Sequence, residues 1–102
     1  MSVDNPGVVV GPTTQTQPVR VKGTVYTNGA TPRIVTVSLI VPIGQTPALY
    51  CDNIDGQTTA VASWIASSIA AGDAVTIVVL PGYKYSLLGA ATCTVNYWTE
   101  WQ

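Results

Sequence analysis

Short runs of β-branched residues, each ended by proline, glycine, asparagine or aspartate, constrain the fold of this chain more than any other feature. VTVSLIVPIGQTPALY at 35–50 and VTIVVLPGYKYSLL at 75–88 share one plan: a Val/Ile-rich run, a Pro/Gly step and a tyrosine-bearing segment. The pattern is typical of strands joined at turns, and we interpret the repeat as equivalent hairpins in two packed sheets. A phosphate-binding loop needs glycines that open a helix and a following lysine and hydroxyl, which neither segment has.

The first half of the chain predicts two successive hairpins. Alternation with a period of two predicts a strand over 19–26. Asn28 and Gly29 follow, and this pair favours the positive φ angles of a tight hairpin turn before a return strand over 33–41. A Pro/Gly step then leads to a further strand over 46–51.

The segment 59–72, TAVASWIASSIAAG, allows two interpretations. Its large apolar residues fall at helical spacing and Gly72 could end a helix, but its Ser, Thr, Val and Ile content is poor for helix. We therefore favour a strand over 62–69, followed by a turn at AAGD. Further strands are predicted over 73–80, 83–88 and 92–101. The total of seven or eight short strands predicts an all-β, antiparallel, jelly-roll-like β-sandwich over 19–102.

Composition limits the partners of this fold. The chain has 102 residues, enough for one domain, and only 9% of them are charged, whereas roughly 25% is usual. Because a small domain cannot bury all its apolar surface, we expect part of it to face another chain. With five acidic and four basic residues and no cluster of either sign, we expect no nucleic-acid partner. The start lacks the pattern of a secretory signal, and no apolar run is long enough to span a bilayer as a helix, so we expect no membrane partner.

Residues suited to catalysis or metal binding are scarce. The chain has no histidine, which removes the usual general base and the usual metal ligand. Asp52 and Asp55 are interpreted as turn residues, because an EF-hand loop needs further acidic ligands. Glu100 has no second carboxylate near it in sequence. We therefore predict a protein that is not an enzyme and has no cofactor or metal, with Cys51 and Cys93 more consistent with reduced, buried thiols than with a disulfide.

Residues 1–18 are interpreted as an extended N-terminal arm. They contain three prolines, two glycines and the stretch TTQTQ, a composition that disfavours a packed element. Val8, Val9 and Val10 are the residues able to anchor it. Two alternatives stay open: a disordered terminus, or a tether that adds to a neighbouring subunit as a strand.

The aromatic residues suggest a surface for contacts. The chain has three Trp, five Tyr and no Phe, so every ring carries a polar group. In TVNYWTEW, strict alternation puts Tyr97 and Trp101 with Val95 on one side and Trp98 with Glu100 on the other, so that both faces bear rings. Core packing, a subunit or virion interface, and a sugar-stacking platform remain open as explanations. The candidate interface residues are Val8, Val9, Val10, Tyr83, Tyr85, Tyr97, Trp98 and Trp101.

Three stretches carry a resemblance to a known group of proteins: AAGDAVTIVVLPGYKYSL, VTVSLIVPIGQTPALYC and VNYWTEW. Over 19–102 the chain resembles the small β-sandwich proteins of tailed-bacteriophage virions, which include capsid decoration (cement) proteins and tail-fibre modules. The resemblance implies a virion protein assembled in the host cytoplasm, a homotrimer that binds the major capsid protein or a tail protein through an extended arm. The alternative is a tail-fibre or carbohydrate-binding module that recognises host-surface glycans. No family site residue carries over.

Overall fold

The computed structural model describes residues 14–64 and 71–102, which form eight strands and no helix. The strands build two antiparallel sheets of four strands each, packed as a sandwich, so the predicted all-β sandwich is confirmed. Their bounds are β1 Gln15–Thr16, β2 Tyr26–Thr27, β3 Arg33–Val41, β4 Ala48–Asp52, β5 Ala60–Ser63, β6 Ala71–Val79, β7 Lys84–Leu88 and β8 Thr94–Trp101.

The strand order is that of a jelly roll. The first sheet has the order β1-β8-β3-β6 and the second sheet has the order β2-β7-β4-β5. Strands from the two halves of the chain pair in nested fashion, β1 with β8, β2 with β7, β3 with β6 and β4 with β5. A long two-stranded ribbon with this pairing, rolled up on itself, produces the eight-stranded double sheet of a jelly roll.

The two similar segments of the sequence are crossovers between the sheets. β3 is joined to β4, and β6 to β7, and each connection leads from the first sheet to the second. Gly44 and Gly82 have φ angles of 85° and 76°, which the third position of a type II turn requires. Because β3 pairs antiparallel with β6, and β4 with β7, the two segments are related by a local two-fold in the topology. The prediction of turns between strands is confirmed, whereas the interpretation as hairpins is wrong.

The predicted strand over 19–26 is also wrong, because only Tyr26–Thr27 is a strand. Residues 18–25, which we call the strap, run without a ladder partner and leave Val19 92% exposed. Backbone groups of the strap bond singly instead: Val21 N–H donates to the Tyr26 hydroxyl at 2.7 Å and Gly23 N–H donates to the Leu87 carbonyl at 2.8 Å. The alternation of the sequence therefore does not correspond to one wet and one dry face.

Asn28 does not form the predicted hairpin turn, since the chain crosses here from the second sheet to the first. The side chain of Asn28 is buried, and its Oδ1 accepts from Gly29 N–H at 2.9 Å and from Arg33 Nε at 3.0 Å. Its Nδ2 donates to the backbone carbonyls of Thr31, Val79 and Leu80 at 2.9–3.1 Å. Asn28 thus fastens the β2–β3 crossover to the β6–β7 crossover, a role decided by residues about fifty positions away.

The arm and the ambiguous segment are each described in part. Gln15 and Thr16, assigned to the arm, pair with β8, so the sandwich begins before residue 19. Val8, Val9 and Val10 lie outside the described residues. In the segment 59–72, β5 at 60–63 supports strand over helix but overlaps the predicted strand over 62–69 only at residues 62 and 63. Residues 71–72 begin β6 where a turn was predicted, and 65–70 lie outside the described residues.

The core lies between the sheets and is made of aliphatic residues from alternate strand positions. Val35, Val37 and Leu39 of β3 have no exposed surface. Cys51 and Cys93 are buried in the same cluster as free thiols, as predicted. Burial raises the pKa of both thiols, so they are poor nucleophiles.

Candidate interaction surface

A β-bulge at Asn96 decides which aromatic rings of β8 face outward. Tyr97 pairs with Ser38 whereas Val95 pairs with the next residue, Leu39, so Asn96 is the extra residue. The predicted grouping of Val95 with Tyr97 is therefore wrong. Val95 packs on the core, and Tyr97 is 44% exposed on the outer face.

The structure separates the predicted interface residues into three groups. Tyr85 and Trp98 are 1% and 5% exposed and belong to the core, so their prediction as interface residues is wrong. Tyr83 packs against that core with part of its surface exposed. Tyr97 and the partly exposed Trp101 lie on the outer face of the first sheet, because their strand partners in β3 alternate with the buried valines.

The outer face of the first sheet is uncharged. Side chains aligned across β8, β3 and β6 form an apolar row, a threonine row and a mixed row. We call this surface the neutral face and define it by these rows, Trp101, Ile34 and Val78, then Thr99, Thr36 and Thr76, then Tyr97, Ser38 and Ala74, together with Ile40, the next outward residue of β3. Thr99 and Ser38 are buried. Val78 is 60% exposed, and no charged residue of the described chain belongs to the aligned rows.

An open depression lies on the neutral face where the apolar and threonine rows meet. It has a volume of about 340 Å³ and is lined by Ile34, Thr36, Thr76 and Trp101. The hydroxyls of Thr36 and Thr76 are 2.7 Å apart and share one hydrogen bond, which leaves one donor and further acceptor positions for a ligand or water. The depression offers an indole and hydroxyls but no titratable group.

Part of the outer face of the second sheet, over β7, is covered by the chain itself. The loop 53–59 folds over β7, and Ser86 Oγ, which has no exposed surface, donates to the Gly56 carbonyl at 2.6 Å. Gly56 has a φ of 73°, and a Cβ on it would lie 2.9 Å from the Cβ of Lys84. The loop therefore sits directly on the strand, and only glycine fits at this contact.

Asp52 holds this loop, which confirms its interpretation as a turn residue. Its carboxylate accepts from backbone N–H groups at 2.8–3.0 Å, those of Ile54, Asp55, Gly56, Thr58 and Thr59. The bond from Gly56 contributes most, and together these bonds hold the pKa of Asp52 well below its usual range. The ionised carboxylate thus uses its hydrogen-bond acceptors on the backbone N–H groups of its own loop.

A buried carboxylate, Glu100, points inward from β8 and is 1% exposed. Arg20 of the strap donates through Nε to Oε2 at 3.1 Å and through Nη2 to Oε1 at 2.9 Å. Arg33 donates to Oε1, and Tyr85 Oη and Trp98 Nε1 each donate to Oε2 at 2.9 Å. Burial by itself would raise the pKa of Glu100, but these hydrogen bonds outweigh it and lower the pKa below its ordinary value.

The Glu100 cluster ties the strap to the first sheet and was missed from the sequence. Arg20 is 80 positions from Glu100, so no local pattern connects them. Burial, followed by the adjacent Glu100 charge, raises the pKa of Tyr85 to about 12, so its hydroxyl stays a donor. One signal was available in the sequence: Glu100 lies two positions after Trp98, so strand alternation puts both side chains on one face. An acid that is buried beside Trp98 needs a basic partner, and the chain has only four Lys and Arg residues to supply one.

Comparisons of the chain with protein-family models, with curated proteins and with solved structures find no match. In the described ranges, no helix has the length and apolar character needed to cross a membrane. Residues 14–64 and 71–102 also contain no group of three or more Cys, Asp or Glu side chains placed to hold a metal ion.

Proposed function

We propose that this protein is a viral structural protein, a capsid decoration (cement) protein that binds a tailed-phage capsid as an oligomer and stabilises it. The observation that carries the proposal is the neutral face, whose exposed aliphatic and aromatic side chains are covered by no described part of the chain. An uncharged surface of this kind loses little hydration on burial against another protein. The partner is the major capsid protein, or a tail protein if the lattice is a tail.

The jelly-roll topology supports this class of function by analogy of fold. Jelly rolls occur in viral capsid proteins and in lectins, both of which act by binding. Fold alone does not define function, so the analogy only favours binding over catalysis. The Glu100 cluster favours the same choice, because a carboxylate that is 1% exposed and bonded by four side chains has no access to a substrate.

The size of the neutral face supports binding by several copies together. Three strands spaced about 4.8 Å apart, followed for about six residues, give a patch of roughly 14 Å by 20 Å. Stable protein interfaces bury about 800 Å² on each partner. One copy therefore offers less than a stable attachment needs, which agrees with the trimer that the resemblance implies.

Binding to undecorated capsids tests the proposal. We expect Ile40→Glu on the neutral face to weaken binding by at least tenfold, because the charge would be buried at the contact. Val61→Glu, at a comparably exposed position on β5 of the second sheet, is the matched control and should bind as the wild type does. Raising the salt concentration should change wild-type binding little, since few charges are present to be screened. Equal binding by the two variants would refute the proposal.

A second function, glycan recognition by a tail-fibre or carbohydrate-binding module, is favoured by the depression beside Trp101. An indole next to two hydroxyls can stack on a sugar ring and bond its hydroxyl groups. Titration with host-surface polysaccharide, followed by tryptophan fluorescence, separates the two functions. A saturable change that Trp101→Ala abolishes, without loss of capsid binding, would favour the glycan function.

A further inference from the structure

The four edge strands of the sandwich differ in how far they are protected. β1 and β2 have two residues each, and β5 has four residues with an irregular register against β4. β6 has nine residues and pairs with β3 in an unbroken register, while its other side has no partner among the described residues. Monomeric proteins protect long edges with lysine, proline or bulges, because the free N–H and C=O groups recruit other strands. β6 contains none of these.

The open part of the β6 edge is short and neutral. Asp73 is the one charged residue of β6, and its carbonyl accepts a hydrogen bond from Trp64 Nε1 at 3.1 Å. The remaining stretch, residues 74–79, has the sequence AVTIVV, and its outward residues are the outermost members of the rows on the neutral face. A strand added here would extend the first sheet and continue the neutral face.

The arm of the same chain cannot supply that strand. Thr14 pairs with Gln102 at the β1 edge, which is the opposite edge of the first sheet. A strand beyond β6 would lie four strand spacings from β1, about 19 Å. The chain from Val10 to Thr14 spans at most about 14 Å. Only the arm of a different copy can bring the Val8–Val10 run to this edge.

We propose that Val8–Val10 of one copy pair as an added strand with residues 74–79 of β6 in a neighbouring copy. The inference rests on the proposed oligomeric function and names its acceptor strand. The arm sequence GVVVG is uncharged and has three consecutive residues of high strand propensity, which match the uncharged edge. Each copy donates one strand and accepts one, so the exchange is either reciprocal in a dimer or head-to-tail in a closed ring. We take the ring, with the trimer that the resemblance implies as its expected size.

Cross-linking between two differently labelled full-length chains tests the contact. One chain carries a cysteine at position 8, 9 or 10, and the other carries Thr76→Cys on β6. The native thiols are buried and should stay unreacted. We expect at least one mixture to form a disulfide-linked pair under mild oxidation, whereas Tyr50→Cys on the second sheet, the control, should form none. Absence of the cross-link in all three mixtures would overturn the proposal.

The mass in solution supplies an independent readout. We expect a mass three times the 10.7 kDa of one chain, and a tenfold or greater rise in the concentration of half-dissociation when Val8, Val9 and Val10 are all changed to Ser. Thr76→Lys should have the same effect, and Thr36→Lys, one strand further in, should not. A mass unchanged by the arm variant, or a Thr76→Cys chain that cross-links to itself, would overturn the proposal in favour of direct edge-to-edge pairing.

The outcome is separable from that of the proposed function, because capsid binding is measured apart from mass. Oligomers that depend on the arm but do not bind capsids would refute the cement function and leave the pairing of the arm with β6 standing. If the protein binds capsids but its mass in solution does not depend on the arm, the pairing of the arm with β6 is refuted and the cement function stands.

Discussion

The two outer faces of the sandwich differ in whether they carry charged side chains and in whether a loop covers them. The second sheet carries Asp52 and Lys84 outward and hides part of its surface under the loop 53–59. The first sheet turns its buried carboxylate, Glu100, inward and presents only uncharged side chains outward. The loop thus covers the part of the second sheet around Ser86, while no described segment covers the first sheet in the same way. The neutral face of the first sheet stays open to contact with another protein, and for this reason it is the candidate site.

The largest expected effect comes from disturbing the inward charge of the first sheet. Glu100→Gln removes the charged partner of Arg20 and Arg33 in a buried position, and breaking such pairs is strongly destabilising. We expect the free energy of unfolding to fall by about 3 kcal/mol. Urea denaturation measures it, and adding Arg20→Met should recover part of the loss if the unpaired charge is its cause. A fall below about 1 kcal/mol would contradict this account of the cluster.

A smaller loss should follow from lifting the cover of the second sheet. Gly56→Ala forces a left-handed φ on alanine and places a Cβ against Lys84, so we expect a loss of about 2 kcal/mol. Gly44→Ala is the matched control, with a φ of 85° and open space around it, and should cost about 1 kcal/mol from backbone strain alone. Equal losses at the two glycines, measured by thermal unfolding, would show that the loop does not press on the strand.

Removing one hydroxyl beneath the cover should cost less again. Ser86→Ala leaves the buried Gly56 carbonyl without its side-chain donor, and we expect a loss of about 1 kcal/mol in the free energy of unfolding. Denaturant titration at neutral pH measures this loss. An unchanged midpoint would mean that the carbonyl finds water, and hence that the loop does not seal the face.

The smallest effect is expected for the same kind of change on the open face. Thr76→Val removes a hydroxyl whose partner Thr36 remains accessible to water, so the stability should change by no more than about 0.5 kcal/mol. The pair Ser86→Ala and Thr76→Val therefore compares the two faces directly. A loss at Thr76 equal to that at Ser86 would mean that the neutral face is already completed within the chain.

Local features of the fold were predictable, and the pairing of distant segments was not. The strand over 33–41 was predicted with its observed bounds, because its β-branched residues and flanking proline act within a few positions. The strap was misjudged although it alternates equally well, since its backbone found no neighbouring strand to pair with. The inward position of Val95 also escaped prediction, because a single bulge at Asn96 reverses the alternation before it.

The sequence by itself determined that this protein is an all-β sandwich, that Asp52 closes a turn and that the cysteines are buried. These properties follow from side-chain volume, branching and short-range hydrogen bonding, which act within a few residues. Only the tertiary structure decided which face of each sheet is covered, which rings point outward and that Arg20 meets Glu100. The physical reason is that a strand's two faces are equivalent until a partner strand and its register distinguish them, and in a jelly roll those partners lie up to the full length of the chain apart.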